Sequence, residues 1–434
     1  MTPRLPENHT PTWREAVRFW GRLGLISFGG PAGQIAIMHR ELVEEKKWVT
    51  EPQFLHALNY CMLLPGPEAQ QLATYLGWRM HGVRGGVVAG ALFVLPSALL
   101  LWGLSYVYAA YGNLPVLSAI FYGLKCVVLA LVIEAVLRLS KRALRGPLPA
   151  AVAVLAFFAI FEWQVPFPFL VVGAALIGWA GSFVFPKGPG LLRPESGRET
   201  PVRDNGRVSP ISTVRVAVIC LLLWWAPLGA AFWVFGGESI LFRQGIFFSQ
   251  AALVTFGGAY AVLPYVADHA VSAGWVGPEQ MMAGLALAES TPGPLIMVLQ
   301  FVGFLGGWQN PMEGIPPLVA ATLCAVLTTW CTFLPSFLFI LVGAPYVERL
   351  RGWARCDAAL TAVTAAVVGV ILNLALWFGS HLLLPFGGRF DGTAAILALL
   401  AWIALNKHVP GGVLSVIVAG GAAGWLVHVL GWAG

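Results

Sequence analysis

Two Pro-Gly-Pro tripeptides interrupt apolar stretches of this chain, at residues 65–67 and 292–294. Proline lacks a backbone donor and clashes with the preceding turn, so each tripeptide should end one helix and begin another. Two glycine pairs, at 29–30 and 257–258, predict further breaks. The first turn of a restarted helix carries free N–H groups and about half a positive charge. These four breaks therefore predict a site that binds an anion, particularly an oxyanion.

The candidate site consists of the four breaks and the polar residues near them. Side-chain amides and hydroxyls at these positions can donate neutral hydrogen bonds to an oxyanion, or simply hold helices together. The candidate substrate-binding residues are Gly29, Gly30, Pro31, Gly33, Gln34, Pro65, Gly66, Pro67, Glu68, Gln71, Lys125, Gly257, Gly258, Ser290, Thr291, Pro292, Gly293 and Pro294.

Lys125 lies near the middle of an apolar segment, about 15 Å from each end at ~1.5 Å per residue. A lysine in such a position is costly unless it faces a cavity, an anion or a carboxylate. We expect it to act as a counter-ion for the substrate, and a structural ion pair is the alternative. Glu134, nine residues further along the same segment, is too far away to be its direct partner.

Two glutamates beside the Pro-Gly-Pro breaks are candidates for proton coupling. Glu68 follows the first break, in a first helical turn where the dipole favours a carboxylate, and this capping role is the alternative interpretation. An ionised Glu68 would compete with an arriving dianion for the same N–H groups, which would link proton and anion occupancy. Glu289 precedes the second break and could carry a proton if it is buried.

The sequence has no spacing pattern typical of a metal site or a catalytic centre. Its eight histidines form no HxxxH or HExxH pair, and its six cysteines form no CxxC pair. We therefore expect no metal and no cofactor. There is also no Walker A sequence and no catalytic constellation of His, Asp and Glu, which argues against a primary pump and against an enzyme.

The composition indicates which solvent surrounds these breaks. Of 434 residues, 58% are hydrophobic and 11% are charged, whereas a soluble domain has roughly 25% charged residues. Residues 86–124, 314–347 and 358–388 contain no Asp, Glu, Lys or Arg. Each of these stretches is longer than the ~20 residues that span a bilayer. We therefore expect an integral membrane protein with the lipid bilayer as its partner.

Three short motifs occur twice, in the same order. They are Phe-Gly-Gly (FGG, 28–30 and 256–258), Pro-Gly-Pro (PGP, 65–67 and 292–294) and Leu-Pro-Ser (LPS, 95–97 and 334–336). The two copies of each are called first and second below. The spacing from FGG to PGP agrees within one residue, whereas the second LPS follows its PGP with about a dozen extra residues. Three motifs in the same order predict an internal repeat. The predicted units are a first half (1–186), a cytoplasmic linker (187–213), a connecting transmembrane helix (214–241) and a second half (242–434).

The connecting helix decides how the two halves are oriented. Each half shows six hydrophobic segments, which return the chain to its starting side, so one further crossing starts the second half from the opposite face. The predicted fold is an all-α integral membrane protein whose homologous halves form an inverted-topology repeat, with broken or re-entrant helices at FGG and PGP. Inverted repeats with broken helices that meet near the midplane are typical of secondary transporters.

Loop charges predict the sidedness independently, because cytoplasmic loops are enriched in Lys and Arg. The inverted arrangement puts the basic loop at 138–145 and the basic linker inside, whereas 270–280 and 303–317, which lack Lys and Arg, lie outside. We expect an inner-membrane protein with a cytoplasmic N-terminus and an external C-terminus. The net charge of +6 follows from these loops and predicts no nucleic-acid partner. Whether the chain forms a homodimer stays open.

The stretches around the motifs resemble the chromate ion transporter family in its long form, which has two fused homologous halves. These stretches are "FGGPAGQIAIMHRELVEEKKWV", "LPGPEAQQLATYLGWRMHG", "TFGGAYAVLPYV" and "ESTPGPLIMVLQFVGF". The resemblance implies a secondary transporter that exports chromate from the cytoplasm, driven as an antiporter by the proton motive force, and confers chromate resistance. Sulfate is the chemically similar oxyanion. Transport of sulfate or another oxyanion is therefore an alternative, and so is an anion channel.

Overall fold

The computed structural model describes residues 11–28, 30–184, 210–256, 258–344, 354–384, 390–407 and 412–431. Gly29, Gly257 and residues 187–209 of the predicted linker lie outside these ranges. Within them, every regular element is helical. The α-helices of these ranges are α1 (Trp13–Ile26), α2 (Gly30–His39), α3 (Glu51–Cys61), α4 (Glu68–Tyr111), α5 (Pro115–Ala143), α6 (Pro147–Phe161), α7 (Phe167–Val184), α8 (Pro210–Phe235), α9 (Ile240–Val254), α10 (Ala259–Ser272), α11 (Pro278–Ser290), α12 (Val298–Gln309), α13 (Pro317–Gly343), α14 (Ala354–Leu383), α15 (Gly392–Asn406) and α16 (Gly412–Val429).

Six helices of the described ranges are long and apolar enough to cross a membrane: α4, α5, α8, α13, α14 and α16. Their most apolar windows have mean hydropathies of 1.8 to 2.4. Helix α4 spans 44 residues and is kinked where His81 and Gly82 leave helical geometry. The kink divides α4 into a first segment that follows the first PGP and a second segment that carries the first LPS. An all-helical protein with several membrane-spanning helices is thereby confirmed.

Matching glutamines begin matching helices in the two halves. At the start of α3, the Thr50 N–H donates to Gln53 Oε1 at 3.1 Å, and at the start of α11 the Gly277 N–H donates to Gln280 Oε1 at 2.8 Å. Each glutamine satisfies an N–H group that has no partner within its own helix. Both helices lead into a PGP motif, so a glutamine cap of the same kind begins the helix before each PGP break.

The segments on either side of each break fold back beside each other as helical hairpins. In the second half, the Phe247 ring of α9 stacks on the ring of His269 near the end of α10, with centroids 4.0 Å apart. Gln309 at the end of α12 donates to Gln280 at the start of α11 at 3.0 Å. In the first half, the Phe19 ring of α1 lies 5.3 Å from Trp48, beyond α2. The FGG and PGP motifs therefore lie at the tips of these hairpins.

The remaining helices interlock the two halves. Helix α14 of the second half packs on α6 and α7, and α5 of the first half packs on α15 and α16. Small residues permit the closest approaches: a Cβ on Gly178 would overlap the Ala358 backbone, and a Cβ on Gly424 would overlap the Ala119 backbone. Backbones that approach this closely are typical of helix packing in membranes. Each half therefore buries the other's helices.

Candidate functional site

The four motif glycines that the structure describes all have left-handed backbone angles. The φ angle is +67° at Gly30, +128° at Gly66, +94° at Gly258 and +108° at Gly293. Any other residue would be strained at such angles, so glycine is what permits each break. A helical turn begins at or within two residues of each of these glycines. The helices are therefore interrupted where the sequence predicts, and they restart at once.

The breaks of one half are bound to the breaks of the other. The Gly66 N–H of the first PGP donates to the carbonyl of Thr255, which precedes the second FGG, at 2.7 Å. The Gly293 N–H of the second PGP donates to the carbonyl of Ser27, which precedes the first FGG, at 2.8 Å. Two equivalent hydrogen bonds therefore join the hairpin tips in a reciprocal arrangement. These two amides are already occupied in this conformation, so an anion would use other N–H groups of the restarted helices.

The LPS motifs meet the same glycines, again across the halves. A Cβ on Gly293 would lie 2.8 Å from Ser97 Oγ of the first LPS, and a Cβ on Gly66 would clash with Ser336 Oγ of the second. Both serines are buried, with exposures of 0% and 1%. All three repeated motifs thus converge on one place, which we call the motif cluster. It is defined by Ser27, Gly66, Ser97, Thr255, Gly293 and Ser336.

Two glutamines from the candidate set hold the PGP loops in shape. The buried Gln34 side chain donates through Nε2 to the Gly293 carbonyl at 2.5 Å, which ties the first FGG hairpin to the second PGP. Gln71 Nε2 donates to the carbonyl of Pro65 in its own loop at 2.7 Å. Pro31 and Gly33 lie in the first turn of α2, beside Gln34. The structure therefore places these predicted residues at the motif cluster.

Glu68 and Glu289 differ in their surroundings. Glu68 begins α4 after Pro67, and a Cβ on Gly258 would lie 3.9 Å from its Oε1. Its carboxylate therefore faces the second FGG. Glu289 near the end of α11 is buried, with 7% exposure, and accepts a hydrogen bond from the Tyr260 hydroxyl of α10. Tyr260 is a contact that the sequence does not predict.

Two candidate hydroxyls already have partners. Ser290 Oγ donates to the Leu287 carbonyl at 2.9 Å, and Thr291 Oγ1 donates to the Ala288 carbonyl at 3.1 Å. These bonds close the end of α11 immediately before Pro292 and Pro294. Their geometry explains how α11 ends. It does not present the two hydroxyl protons to a ligand.

Lys125 lies in α5 and forms an ion pair between the two halves. Its Nζ is 2.9 Å from Glu279 Oε2, and the Lys125 side chain is 16% exposed. Glu279 lies at the start of α11, whereas the second PGP follows the end of that helix, about 16 Å further along at ~1.5 Å per residue. The structure therefore joins Lys125 to a carboxylate at the far end of α11 and does not bring it to the PGP loop.

The sequence did not single out the serines of the LPS motifs, or Ser27 and Thr255, as site residues. The signal for Ser97 and Ser336 is present, because LPS repeats in the same order as FGG and PGP. Ser27 and Thr255 occupy matching positions before the two FGG motifs, and that correspondence was the available signal. Among the described residues, no group of three or more His, Cys, Asp or Glu side chains could hold a metal ion.

Broken helices whose tips meet inside an all-helical membrane protein define a class, the polytopic transporters with discontinuous helices. Comparison with known proteins gives the family. The chromate transporter family model matches residues 14–179 and 242–425. The chain therefore belongs to the chromate transporter family, which is a family of transporters and not of enzymes. This membership supports chromate transport and implies an oxyanion substrate, and it confirms the predicted two-part, long form.

Curated relatives match along nearly the whole chain. A chromate transport protein of Pseudomonas aeruginosa is 33% identical over 421 residues, which cover 94% of this chain and 90% of the relative. A chromate transport protein of Cupriavidus metallidurans is 29% identical, covering 92% and 89%. A probable chromate transport protein of Synechococcus elongatus is 27% identical, covering 94% of each chain. No solved structure matches this chain.

Proposed function

We propose that this protein is a secondary transporter that exports chromate from the cytoplasm across the inner membrane and thereby confers chromate resistance. The observation that carries the proposal is the reciprocal pair of hydrogen bonds that joins the hairpin tips, from Gly66 to Thr255 and from Gly293 to Ser27. Restarted helices point their N–H groups into this region, where a dianion would be stabilised. Family membership supplies the identity of the oxyanion.

The proposed architecture is an inverted-topology repeat with re-entrant hairpins. Two hairpins would enter from the cytoplasmic side and two from the external side, and their tips would meet at the motif cluster. Supporting this, the two stretches that the charge pattern predicts to be external, 270–280 and 303–317, line one cavity of about 510 Å³ together, through residues such as Trp275 and Glu313. Irregular backbone at membrane depth is tolerated only where protein or a water-filled cavity surrounds it, and the buried tips meet that condition.

The membrane potential would drive this export directly. One elementary charge is worth about 2.3 kcal/mol per 100 mV, so a dianion leaving a negative interior gains roughly 4.6 kcal/mol at that potential. A dianion at the second FGG would meet the carboxylate of Glu68, because a Cβ on Gly258 would lie 3.9 Å from Glu68 Oε1. An ionised Glu68 would compete with the dianion for the first-turn N–H groups. Glu68 is therefore the proposed link between proton and anion occupancy.

Glu289 is the second proposed proton carrier. It is buried and accepts a hydrogen bond from Tyr260. Arg138 lies near the end of α5 that the basic loop predicts to be cytoplasmic. Arg138 also pairs with Glu134 at 3.5 Å. In the proposed mechanism, these groups would carry protons between α11 and the side that the basic loops predict to be cytoplasmic. Ionisable residues inside a membrane are typical of such relays.

Flux into everted vesicles tests the proposal. Vesicles that contain the protein should accumulate chromate when respiration is energised, and a protonophore should abolish accumulation. Glu68→Gln and Glu289→Gln should reduce the response of flux to an imposed pH gradient. Inhibition by excess sulfate would show a broader oxyanion specificity. Anion currents that ignore the pH gradient, without accumulation, would instead identify a channel, and absence of chromate movement would refute the proposed function.

A further inference from the structure

Two buried serine hydroxyls in the motif cluster have no hydrogen-bond partner. They are Ser97 Oγ and Ser336 Oγ, from the first and second LPS motifs. Both side chains are at least nine-tenths buried. Leaving a buried donor unpaired is unfavourable, and an unpaired group in a native structure calls for an explanation. The two occur at matching positions of the two halves, so the explanation should apply to both.

Other buried hydroxyls in these helices behave differently. Ser27, Ser105, Ser249, Thr255 and Thr332 each donate to the carbonyl four residues earlier in their own helix, at distances of 2.6 to 2.7 Å. This is the usual solution for a serine or threonine inside a helix. Ser97 and Ser336 do not use it. Thr213 and Thr328 also lack a partner, but they lie outside the motif cluster.

The unpaired hydroxyls are directed at the breaks of the opposite half. Ser97 Oγ lies against Gly293, and Ser336 Oγ lies against Gly66, each beside the N-terminus of a restarted helix. A glycine at each position lets the serine lie directly against the break, because a side chain there would overlap it. Each serine therefore places an unpaired donor beside the helical turn that restarts after the PGP motif of the opposite half. Donors of this kind suit oxygen atoms that carry negative charge.

We propose that Ser97 and Ser336 are substrate-binding residues, each of which donates a hydrogen bond to a tetrahedral oxyanion at the PGP break that it faces. The ligand class is a dianion of the chromate and sulfate type, whose oxygens accept hydrogen bonds. This proposal rests on the proposed function and assigns binding residues to the same site. It also gives the repeated LPS motif a role that packing alone does not require.

Equilibrium binding of radioactive chromate to the purified full-length protein tests this assignment. The variants are Ser97→Ala, Ser336→Ala and the double substitution. Loss of a hydrogen bond to a charged group should weaken the Kd about 10-fold for each single variant and about 100-fold for the double variant. Because the hydroxyls are unpaired without ligand, the melting temperature of the unliganded variants should not fall.

Ser105→Ala is the matched control. Ser105 lies on the same helix as Ser97 and is equally buried, but its hydroxyl is bonded to the Leu101 carbonyl at 2.6 Å. Its Kd should equal that of the wild type. If Ser97→Ala and Ser336→Ala also bind and transport chromate like the wild type, this inference is overturned while the proposed function stands. If the wild-type protein neither binds nor transports chromate, both are overturned.

Discussion

At the residue scale, the motif glycines combine a backbone requirement with a close contact. Gly66 has a φ of +128°, and its missing side chain leaves room for Gln71 and Ser336. Gly82, at the kink of α4, has a φ of +61°, but a Cβ added there would have no atom within 4 Å. Gly66 and Gly82 therefore separate backbone strain from steric contact. A substitution at either glycine strains the backbone, but only a substitution at Gly66 places new atoms in the motif cluster.

Gly66→Ala should therefore abolish transport, whereas Gly82→Ala should retain it. Both variants should lose stability, since a residue held in an unfavourable backbone region costs about 1–3 kcal/mol. In Gly66→Ala, the added Cβ would also lie 2.6 Å from Gln71 Nε2, which holds the PGP loop. Chromate uptake per amount of folded protein, measured beside the melting temperature, checks this. Equal uptake by the two variants would show that the first PGP is only a kink.

Lys125→Gln tests whether this lysine serves the substrate or the fold. Because Lys125 is paired with Glu279 at the far end of α11, we expect a lower melting temperature and an unchanged Kd for chromate. The effect should be roughly 1 kcal/mol, since Glu279 is largely exposed and water screens the pair. Exchanging the charges, with Lys125→Glu and Glu279→Lys together, should restore stability. A weakened Kd at an unchanged melting temperature would make Lys125 the substrate counter-ion instead.

At the element scale, small residues set how closely helices of opposite halves approach. Gly178 of α7 faces the backbone of α14, and Gly424 of α16 faces the backbone of α5 in the matching place. Lipid tails are as apolar as the helix surfaces, so the hydrophobic effect does not drive helices together inside a bilayer. Close van der Waals contacts of this type stabilise their association instead. These helices therefore depend on the absence of a side chain at a few positions.

Gly178→Val should sharply reduce the amount of folded protein, because the new side chain would overlap Ala358 and Ala362. Gly173 lies on the same helix and has no atom within 4 Å of a Cβ, so Gly173→Val is the matched control and should fold. Size-exclusion profiles in detergent measure both. Poor folding of both variants alike would attribute the loss to valine in α7 and would argue against the contact with α14.

The breaks were predictable from the sequence, but their partners were not. Glycine and proline act on the residues next to them, so FGG and PGP predict local interruptions without knowledge of the fold. The partner of Lys125 is 154 residues away, and the hydroxyls that face Gly66 and Gly293 come from the opposite half. Such contacts depend on how the halves pack. The repeat pointed to the LPS motif, yet only the packing brings its serines to the glycines.

At the scale of the whole molecule, the proposed inverted repeat makes a prediction about sidedness. Glu313 is exposed in a segment predicted to be external, and Lys141 is exposed near the basic loop predicted to be cytoplasmic. In a Cys356→Ser background, a cysteine at Glu313 should react with a membrane-impermeant maleimide in intact cells. A cysteine at Lys141 should react only after permeabilisation. The other five cysteines are buried and should not react with the maleimide. Reaction of both positions from outside would exclude the inverted arrangement.

The reciprocal bonds between the hairpin tips also have a consequence in time. Gly66 donates to Thr255, which follows it by 189 residues in the chain. At a synthesis rate of ~5–20 residues per second, the first PGP loop waits about 10 to 40 s before its partner exists. During that interval, the first half has entered the bilayer, and the Gly66 N–H has no acceptor because Thr255 has not yet been synthesised. The nascent chain must therefore keep this loop beside water, or beside the insertion machinery, until the second half arrives.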